Sequence, residues 1–252
     1  CLLKMLNMQS FFARVGGKSK QAKRLVELIP PHITYCEPFV GAGSVLLRKP
    51  ISKIEIINDN CEDVINLWKD FKSNAELITK YTFKSSRSKF YELKNVCPDK
   101  VEERLFRNLF LSKFSFAGNR KDYAPCIKTT CINLKRNFQK YKDRLQDVNI
   151  SLGDYKSCIQ KHDSLTTLFY IDPPYETGRL VQHWNYIPSI RNDLREVLRT
   201  IKGMFIMSYE NSPDICTYFK EFNQSFLDTH YSSGNRNHNT NRKRELILTN
   251  FK

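Results

Sequence analysis

Asp172-Pro173-Pro174-Tyr175 is the segment of this 252-residue chain whose residue types and spacing indicate chemistry most specifically. It begins at the end of TLFYID (167–172), an apolar and aromatic run that predicts a buried strand. Two consecutive prolines restrict the backbone to a rigid, extended corner. Such a corner holds one carboxylate and two backbone carbonyls in fixed directions. We therefore predict a catalytic site at these four residues.

A second group of residues predicts a nucleoside-binding site. EPFVGAG (37–43) follows a predicted strand at 33–36, and its glycines allow a ligand to approach the backbone closely, although the glycines alone are equally typical of a tight turn. Asp59 lies 22 residues after Glu37 (59 − 37), where a carboxylate can accept both hydroxyls of a ribose. Val45 and Leu46 fill the region where a dinucleotide fingerprint has its third glycine. The pattern favours an adenosine ligand without a pyrophosphate over NAD.

The hydrophobic pattern predicts a doubly wound α/β fold that positions these segments. The strands are expected at 33–36, 53–57, 149–154, 167–172, 204–209, 225–231 and 245–250, and the helices at 19–29, from about Ser44, at 64–71, between 154 and 167, at 187–201 and at 213–222. The last two strands leave no room for a crossover helix and should pair as an antiparallel hairpin. The predicted fold is a mostly parallel sheet that ends in this hairpin.

Residues 72–148 interrupt this pattern with interleaved basic and aromatic side chains. Within them, KFSFAGNRKDYAP (113–125) contains a Gly-Asn turn that suits a hairpin or an ordered loop. The chain has 41 Lys and Arg against 26 Asp and Glu, a net charge of +15, which favours a polyanionic partner such as nucleic acid, with a membrane surface as the competing interpretation. We predict an inserted, mainly helical recognition domain at 72–148, between the two parts of a catalytic domain at 1–71 and 149–252. The predicted nucleic-acid contacts are Lys113, Asn119, Arg120, Lys121, Tyr123 and Arg242.

The order of the motifs resembles that of the Dam-type (D12 class) DNA adenine methyltransferases, which use S-adenosylmethionine. The matching segments are Val15-Gly16-Gly17-Lys18, EPFVGAGS (37–44), Ile57-Asn58-Asp59, Gly153-Asp154, DPPY (172–175), the strand ending at Ser208-Tyr209, and RKRELILTNF (242–251). They span nearly the whole chain, and the insertion lies where that family has its target-recognition domain. The resemblance implies a class I, Rossmann-like methyltransferase fold. It also implies methyl transfer to the exocyclic amino nitrogen of adenine in double-stranded DNA, with base flipping.

The resemblance implies a role for each matching residue. Asp172 and the carbonyl of Pro173 would accept the two hydrogens of the adenine amino group, and Tyr175 would stack on the extruded base. Asp59 would hold the ribose of the cofactor, Asp154 its adenine amino group and Lys18 its methionine carboxylate. The family commonly has an aromatic residue where this chain has Arg14, so we leave Arg14 out. The implied cofactor contacts are Gly16, Gly17, Lys18, Glu37, Pro38, Phe39, Gly41, Ala42, Gly43, Ser44, Asp59, Asp154 and Asp172.

Two alternatives to a DNA methyltransferase remain open at this point. One is an RNA adenine methyltransferase, because the corner recognises an amino group and not the sugar. The other is a non-catalytic nucleic-acid-binding protein with a vestigial cofactor fold. No apolar run reaches the ~18 residues of a membrane span, and no signal peptide is evident, so we expect an intracellular protein. The resemblance implies a monomer, with a dimer as the alternative. The eight cysteines lack metal-ligand spacing, so we expect reduced thiols and no metal.

Overall fold

The computed structural model describes residues 8–125, 130–175, 190–230 and 242–252, and in these ranges a seven-stranded sheet forms its centre. The strands are β1 (Thr34–Glu37), β2 (Ile54–Asp59), β3 (Val148–Leu152), β4 (Thr167–Ile171), β5 (Met204–Glu210), β6 (Asn223–His230) and β7 (Arg242–Thr249). Their order in the sheet is β3-β2-β1-β4-β5-β7-β6. β1 to β5 pair in parallel, and β7 is antiparallel to both β5 and β6. The predicted mostly parallel sheet with a terminal antiparallel hairpin is confirmed.

Helices connect the strands. They are α1 (Ala22–Glu27), α2 (Glu62–Asn74), α3 (Arg87–Lys94), α4 (Val101–Lys113), α5 (Thr130–Leu145), α6 (Tyr155–His162), α7 (Ile190–Thr200) and α8 (Pro213–Tyr218), with short 3₁₀ helices at Ala75–Lys80 and Phe116–Gly118. The predicted helix 187–201 is described only from Ile190, and its first three residues lie outside the described ranges. Within these ranges, no helix combines the length and the apolar character that a membrane crossing requires.

Both faces of the central strands are buried, as is usual in parallel sheets. All five residues of β4 are buried, with Leu168 and Tyr170 in one hydrophobic cluster and Phe169 and Ile171 in the other. This alternation follows from the period of two along a strand. α1 and α2 pack on the first face, and α6, α7 and α8 pack on the second. The two helical layers fix the position of β4, and with it the segment that begins at Asp172.

The helix predicted from about Ser44 is wrong, because residues 44–48 form turns. The helical bonds in this segment are incomplete: the Lys49 amide donates four residues back, to the Val45 carbonyl at 3.0 Å, but the Arg48 amide donates to the same carbonyl, only three residues back. Pro50 has no amide hydrogen with which to continue the helical bonds, so the segment stops as a turn.

The inserted region is mainly helical and shares its core with the sheet. α4 and α5 contribute Leu105, Leu109, Leu134 and Leu145 to the first hydrophobic cluster, which also contains residues of α1 and α2. A third, smaller cluster lies within the insertion and consists of Phe90, Leu93, Phe110, Leu111 and Phe114. The insertion is therefore anchored on the catalytic core, and the domain boundaries at 72 and 148 stay a prediction.

The loop after α4 is an ordered structure, with a β-bridge between Ser115 and Tyr123. Gly118, at its turn, has a φ of +75°, and a Cβ there would come within 2.5 Å of the Ala13 backbone. Only glycine fits this conformation and this approach without strain. The loop therefore packs against the N-terminal segment a few residues before Lys18.

Candidate active site

The Asp172 corner lies at the carboxyl end of β4, the middle strand of the sheet, which is where α/β sheets bind their ligands. Pro173 is buried and Pro174 is half-buried. The Asp172 carboxylate accepts a hydrogen bond from the Ser208 hydroxyl of β5 at 3.1 Å, and Ser208 contacts the Tyr170 hydroxyl, also at 3.1 Å. These bonds hold one oxygen of the carboxylate, Oδ1, in a fixed orientation.

Lys18 reaches the same corner from the N-terminal segment. Its Nζ lies 2.7 Å from Asp172 Oδ1 and 3.1 Å from Glu245 Oε1, and it donates to the Tyr175 hydroxyl at 3.1 Å. Burial by itself lowers the pKa of Lys18, but the attraction of Asp172 and Glu245 outweighs this effect and raises the pKa, so the side chain stays charged. The resemblance implies that Lys18 binds the methionine carboxylate of the cofactor, whereas the structure places its ammonium group on Asp172.

The corner carries a net negative charge. Asp172 and Glu245 contribute two carboxylates and Lys18 contributes one ammonium group, which leaves a net charge of −1. Burial raises the pKa of the Asp172 carboxyl above its ordinary value; Lys18 opposes this rise and Glu245 adds to it. Tyr175, half-buried, also donates its hydroxyl hydrogen to Glu245 Oε1. A fixed negative charge of this kind stabilises a substrate atom that becomes positive.

Glu37, at the end of β1, holds the loop that follows it. Its Oε1 accepts from the Tyr35 hydroxyl at 2.6 Å and from the Leu46 amide at 2.8 Å. Burial raises the pKa of Glu37 to about 7, and these two hydrogen bonds only partly oppose the rise. Glu37 therefore fixes the conformation of the predicted nucleoside-binding loop through its hydrogen bond with the Leu46 amide.

Trp68 of α2 sets the conformation of the two glycines in this loop. Its indole Nε1 donates to the Gly41 carbonyl at 2.9 Å. Gly43 has a φ of +58°, and a Cβ there would come within 2.5 Å of the Trp68 ring. The second glycine is thus required by packing as well as by its backbone conformation.

The other residues expected near the cofactor surround these glycines. Gly16 has a φ of +82°, and the Gly17 amide donates to the Arg14 carbonyl at 3.0 Å, so the two form a turn that directs Lys18 inward. Ala42 and Ser44 are buried within the loop after Gly41.

Asp59 ends β2 and faces the glycine loop. Its Oδ2 accepts from the Gly41 amide at 3.0 Å and its Oδ1 from the Cys61 amide at 3.0 Å. The guanidinium group of Arg14 lies 3.9 Å from the same carboxylate. Arg14, which the motif comparison leaves out, is therefore at the predicted nucleoside site. Each carboxylate oxygen can accept a further hydrogen bond, so Asp59 keeps acceptor capacity for a ribose.

Asp154 follows β3 and caps α6. Its Oδ2 accepts from the amides of Lys156 and Ser157 at 2.8 and 3.2 Å. Since both bonds use Oδ2, Oδ1 is suited to accept from an adenine amino group. Nearby, the Phe39 and Tyr155 rings stack with centroids 4.9 Å apart, which gives this end of the site an aromatic wall.

Asn58 connects the loops after β1 and β3. Its Nδ2 donates to the carbonyls of Pro38 and Gly153 at 3.1 and 2.9 Å, and its Oδ1 accepts from the Ser151 hydroxyl at 2.9 Å. The loops that carry Phe39 and Asp154 are thus held at a fixed separation.

These groups fit S-adenosylmethionine by their chemistry. Two glycines with positive φ allow close approach to the backbone, Asp59 and Asp154 offer acceptors at the ends of neighbouring strands, and the negative corner at Asp172 suits a cationic sulfonium.

The predicted nucleic-acid contacts differ in what they do within the loop after α4. Lys121 is exposed, whereas the Asn119 Oδ1 accepts the amides of Lys121 and Asp122 and so shapes the loop itself. Tyr123 is half-buried and its hydroxyl lies 2.7 Å from that of Ser85. Lys113 is half-buried at the end of α4. Arg242 begins β7, and its side chain lies outside the described residues.

Arg120 occupies a different environment from the other basic residues of the loop. It has a φ of +57°, its side chain is 18% exposed, and its Nη1 lies 3.8 Å from the Asp63 carboxylate. Burial lowers the pKa of Arg120 to about 10, although Asp63 opposes this effect. The guanidinium group therefore points toward the start of α2, beside the loop that contains Asp59.

Sequence motifs did not assign a role to several residues that the structure brings into the site. Glu245 is the first residue of the run ELILTN and is buried with the apolar residues that follow it. An acidic residue at the start of a predicted buried strand was the signal that could have identified it, because buried acidic residues are rare unless they are paired. Ser208 and Asn58 lie in segments that match the family pattern, but the resemblance implies no role for either residue. The helical spacing of Trp68 predicts a core residue, and Trp68 is fully buried. Its hydrogen bond to the Gly41 carbonyl is a second role that the spacing does not predict.

The sheet order, with an antiparallel β7, and the corner at the end of β4 define a class I S-adenosylmethionine-dependent methyltransferase fold. Residues 15–241 match the family model of the D12 class N6 adenine-specific DNA methyltransferases, and the chain belongs to that family. The family and the adenine-specific DNA methyltransferase activity predicted from the motifs are thereby confirmed.

Curated relatives and solved structures are also similar to this chain. The type II methyltransferase M1.LlaDCHI of Lactococcus lactis subsp. cremoris is 24% identical over 98% of this chain and 96% of the relative. The type II methyltransferase M.MjaIII of Methanocaldococcus jannaschii is 26% identical over 68% of this chain and 70% of the relative. A solved putative RNA methyltransferase from Pyrococcus horikoshii is 9% identical, with a TM-score of 0.44 over 98% of this chain and 91% of that chain.

Proposed function

We propose that the Asp172 corner transfers a methyl group from S-adenosylmethionine to the exocyclic amino nitrogen of an adenine that is flipped out of double-stranded DNA. The observation that carries this proposal is the partly buried Asp172 carboxylate at the end of β4, whose side chain is 18% exposed and is held by Lys18 and Ser208. The amino nitrogen of adenine is a weak nucleophile because its lone pair is delocalised into the ring. It therefore needs fixed acceptors more than a strong base.

The residues of the corner supply those acceptors. Asp172 accepts one amino hydrogen and the Pro173 carbonyl accepts the other, so that the nitrogen lone pair is directed at the methyl group. Bound S-adenosylmethionine supplies an electrophilic methyl group on a sulfonium, which leaves as the neutral thioether of S-adenosylhomocysteine. Both hydrogen bonds strengthen as the nitrogen becomes positive, which stabilises the transition state more than the ground state. The surplus proton then passes from the nitrogen to Asp172 and on to solvent, while Tyr175 stacks on the base.

The residues around the glycine loop would hold the cofactor. Asp59 would accept from the ribose hydroxyls and Asp154 Oδ1 from the adenine amino group, with Phe39 beside the adenine ring. Support for these roles comes from the positions of both carboxylates at strand ends and from the acceptor capacity that their hydrogen bonds leave. Because Lys18 is directed to Asp172, the Gly16-Gly17 turn would contact the methionine portion through its backbone.

The inserted region would bind the DNA. The net charge of +15 and the exposed Lys121 on the loop after α4 support this role, and Lys113, Asn119, Arg120, Tyr123 and Arg242 remain the other proposed contributors. A basic loop of this kind contacts phosphates and makes the affinity salt-dependent. Since the two curated relatives named above are type II methyltransferases, we also propose that the chain protects DNA in a restriction–modification system.

The test is methyl transfer by Asp172→Ala. The variant removes the acceptor of the amino hydrogen, and loss of one such group in an active site lowers turnover by about 10²–10³-fold. We expect that loss in a tritiated-methyl assay on duplex DNA, with cofactor binding retained in calorimetry. Asp214→Ala, which removes an exposed carboxylate in the first turn of α8, is the matched control and should keep full activity.

Other outcomes of the same assay would contradict the proposal. Full activity of Asp172→Ala would refute the mechanism. Methylation of structured RNA in preference to duplex DNA would identify an RNA methyltransferase. Absence of cofactor binding by the unaltered chain would indicate a nucleic-acid-binding protein without catalysis.

A further inference from the structure

Glu245 is a buried carboxylate that takes no direct part in the proposed transfer. It lies in β7 and is 3% exposed, and its Oε1 accepts hydrogen bonds from Lys18 at 3.1 Å and from the Tyr175 hydroxyl. Its Oε2 is buried too, and within the described part of the chain it has no hydrogen-bond partner. A buried carboxylate with an unsatisfied oxygen is unfavourable by itself. Its presence beside the corner therefore needs an explanation beyond stability.

The explanation lies in how Lys18 distributes its charge. An ammonium group has three donors, and those of Lys18 are within reach of Asp172 at 2.7 Å, Glu245 at 3.1 Å and the Tyr175 hydroxyl at 3.1 Å. With Asp172 as the only carboxylate, the pair would be neutral, and Asp172 would be a weaker acceptor for a substrate amino group. With Glu245 present, the three charged groups sum to −1. Since the substrate nitrogen becomes positive during transfer, the extra charge is favourable at that moment.

We propose that Glu245 is a positioning residue for methyl transfer, which draws Lys18 partly away from Asp172 and fixes the Tyr175 hydroxyl. The inference rests on the proposed function of the Asp172 corner and extends it to the antiparallel part of the sheet. Glu245 acts through Lys18 and Tyr175. It sets how strongly Asp172 accepts the amino hydrogen and where the ring of Tyr175 stands for stacking.

The experiment compares Glu245→Gln with the unaltered chain in single-turnover methyl transfer to duplex DNA, measured over a pH series. We expect the transfer rate at pH 8 to fall at least about tenfold. We expect the cofactor dissociation constant from calorimetry to stay unchanged. The matched control is Asp228→Asn, which removes a half-exposed carboxylate on the neighbouring strand β6 and should leave the rate unaltered.

The pH profile separates a positioning role from a merely structural one. Asp172 must be ionised to accept the amino hydrogen, and the charge of Glu245 contributes to the raised pKa of Asp172. Without that charge, the acidic limb of the profile should move to lower pH. The titratable groups that face this carboxylate pair are Lys18, Tyr170, Tyr175 and, opposite Glu245 in the register of β5 and β7, Glu210, with Glu37 acting on Asp172 from β1. Glu245→Gln substitutes none of these residues.

An unchanged rate in Glu245→Gln would overturn the inference, as would a lower rate with an unmoved acidic limb or a loss explained by cofactor binding. These results leave the proposed function intact, because the unaltered chain still methylates DNA. Absence of methyl transfer by the unaltered chain would refute the proposed function itself.

A second variant keeps the inference testable if Glu245→Gln is not recovered folded. Lys18→Met leaves Asp172 and Glu245 facing each other as like charges, whereas the double variant Lys18→Met, Glu245→Gln removes one charge of each sign. We expect the double variant to transfer methyl groups faster than Lys18→Met, since the repulsion on Asp172 is relieved. A rate equal to or below that of Lys18→Met would overturn the inference.

Discussion

Lys18→Met is the substitution that best separates the role implied by the sequence from the role implied by the structure. The resemblance places Lys18 on the methionine carboxylate of the cofactor. The structure places its Nζ 2.7 Å from Asp172 and 3.1 Å from Glu245, in a side chain that is 7% exposed. The first role predicts weaker cofactor binding, and the second predicts slower transfer at unchanged affinity. Met keeps most of the volume of the side chain and removes its charge.

The magnitude follows from the geometry of the charges. At an effective dielectric constant of about 20, unit charges at these two separations attract by about 6 and about 5 kcal/mol, before desolvation is subtracted. Removal of one partner from a buried ion pair costs about 3–5 kcal/mol of folding stability. For the reaction, the variant loses the cation that favours the ionised form of Asp172, which is the form that accepts the amino hydrogen. Loss of one electrostatic contribution of this kind from an active site lowers turnover by about 10²–10³-fold.

The assay is tritiated-methyl transfer at saturating duplex DNA and cofactor, with calorimetric titration of the cofactor and a pH series. Lys18→Met should show the lower kcat, an unchanged cofactor affinity and an acidic limb at higher pH, because Lys18 opposes the rise in the pKa of Asp172. Lys23→Met, at an exposed position on α1, is the control for loss of a cation nearby. A cofactor affinity that falls about tenfold while kcat stays within about threefold would refute this reasoning and support the carboxylate role.

Three further substitutions test the loops on either side of the site. Burial raises the pKa of Glu37 from 4.5 to about 7, so its contribution to stability is present below pH 4.5 and is lost as the pH rises through 7. In urea unfolding, Glu37→Gln should remove about 3 kcal/mol of the change in the free energy of unfolding over this pH range. If the variant and the unaltered chain show the same pH dependence of stability, the raised pKa of Glu37 is contradicted. In fluorescence anisotropy over a salt series, Lys121→Met should weaken DNA binding and reduce the salt slope by about 1. Arg120→Met should reduce the slope by less, because the Arg120 guanidinium group already lies 3.8 Å from the Asp63 carboxylate, and equal losses of slope would contradict this difference.

Much of the fold follows from local patterns in the sequence. The apolar runs at 167–172 and 204–209 are buried strands, and the lack of room for a helix before ELILTN correctly predicts the antiparallel hairpin. Strand periodicity and the restrictions that proline imposes are properties of neighbouring residues, so they can be recognised without a structure. The position of Asp172 at the end of a central strand is predictable for the same reason.

The turns at 44–48 are not predictable in this way. The apolar spacing after Gly43 is consistent with a helix, but the Arg48 amide donates to the Val45 carbonyl, three residues back, and not to the Ser44 carbonyl. The Leu46 carbonyl accepts from the side chain of Arg144, 98 positions away, at 2.6 Å. Local propensity is a weak preference, and hydrogen bonds between distant residues compete with it.

The sequence by itself determined the strands, the glycine loop and the proline corner, because each depends on residues adjacent in the chain. Only the tertiary structure decided which charge lies on the corner. Lys18, Asp172 and Glu245 are separated by 154 and 73 positions (172 − 18 and 245 − 172), yet they form one cluster in which Lys18 and Glu245 are buried and Asp172 is partly buried. A buried charge must find a partner of opposite sign within a few ångströms, and the packing of the N-terminal segment against β4 and β7 determines which partner is within reach.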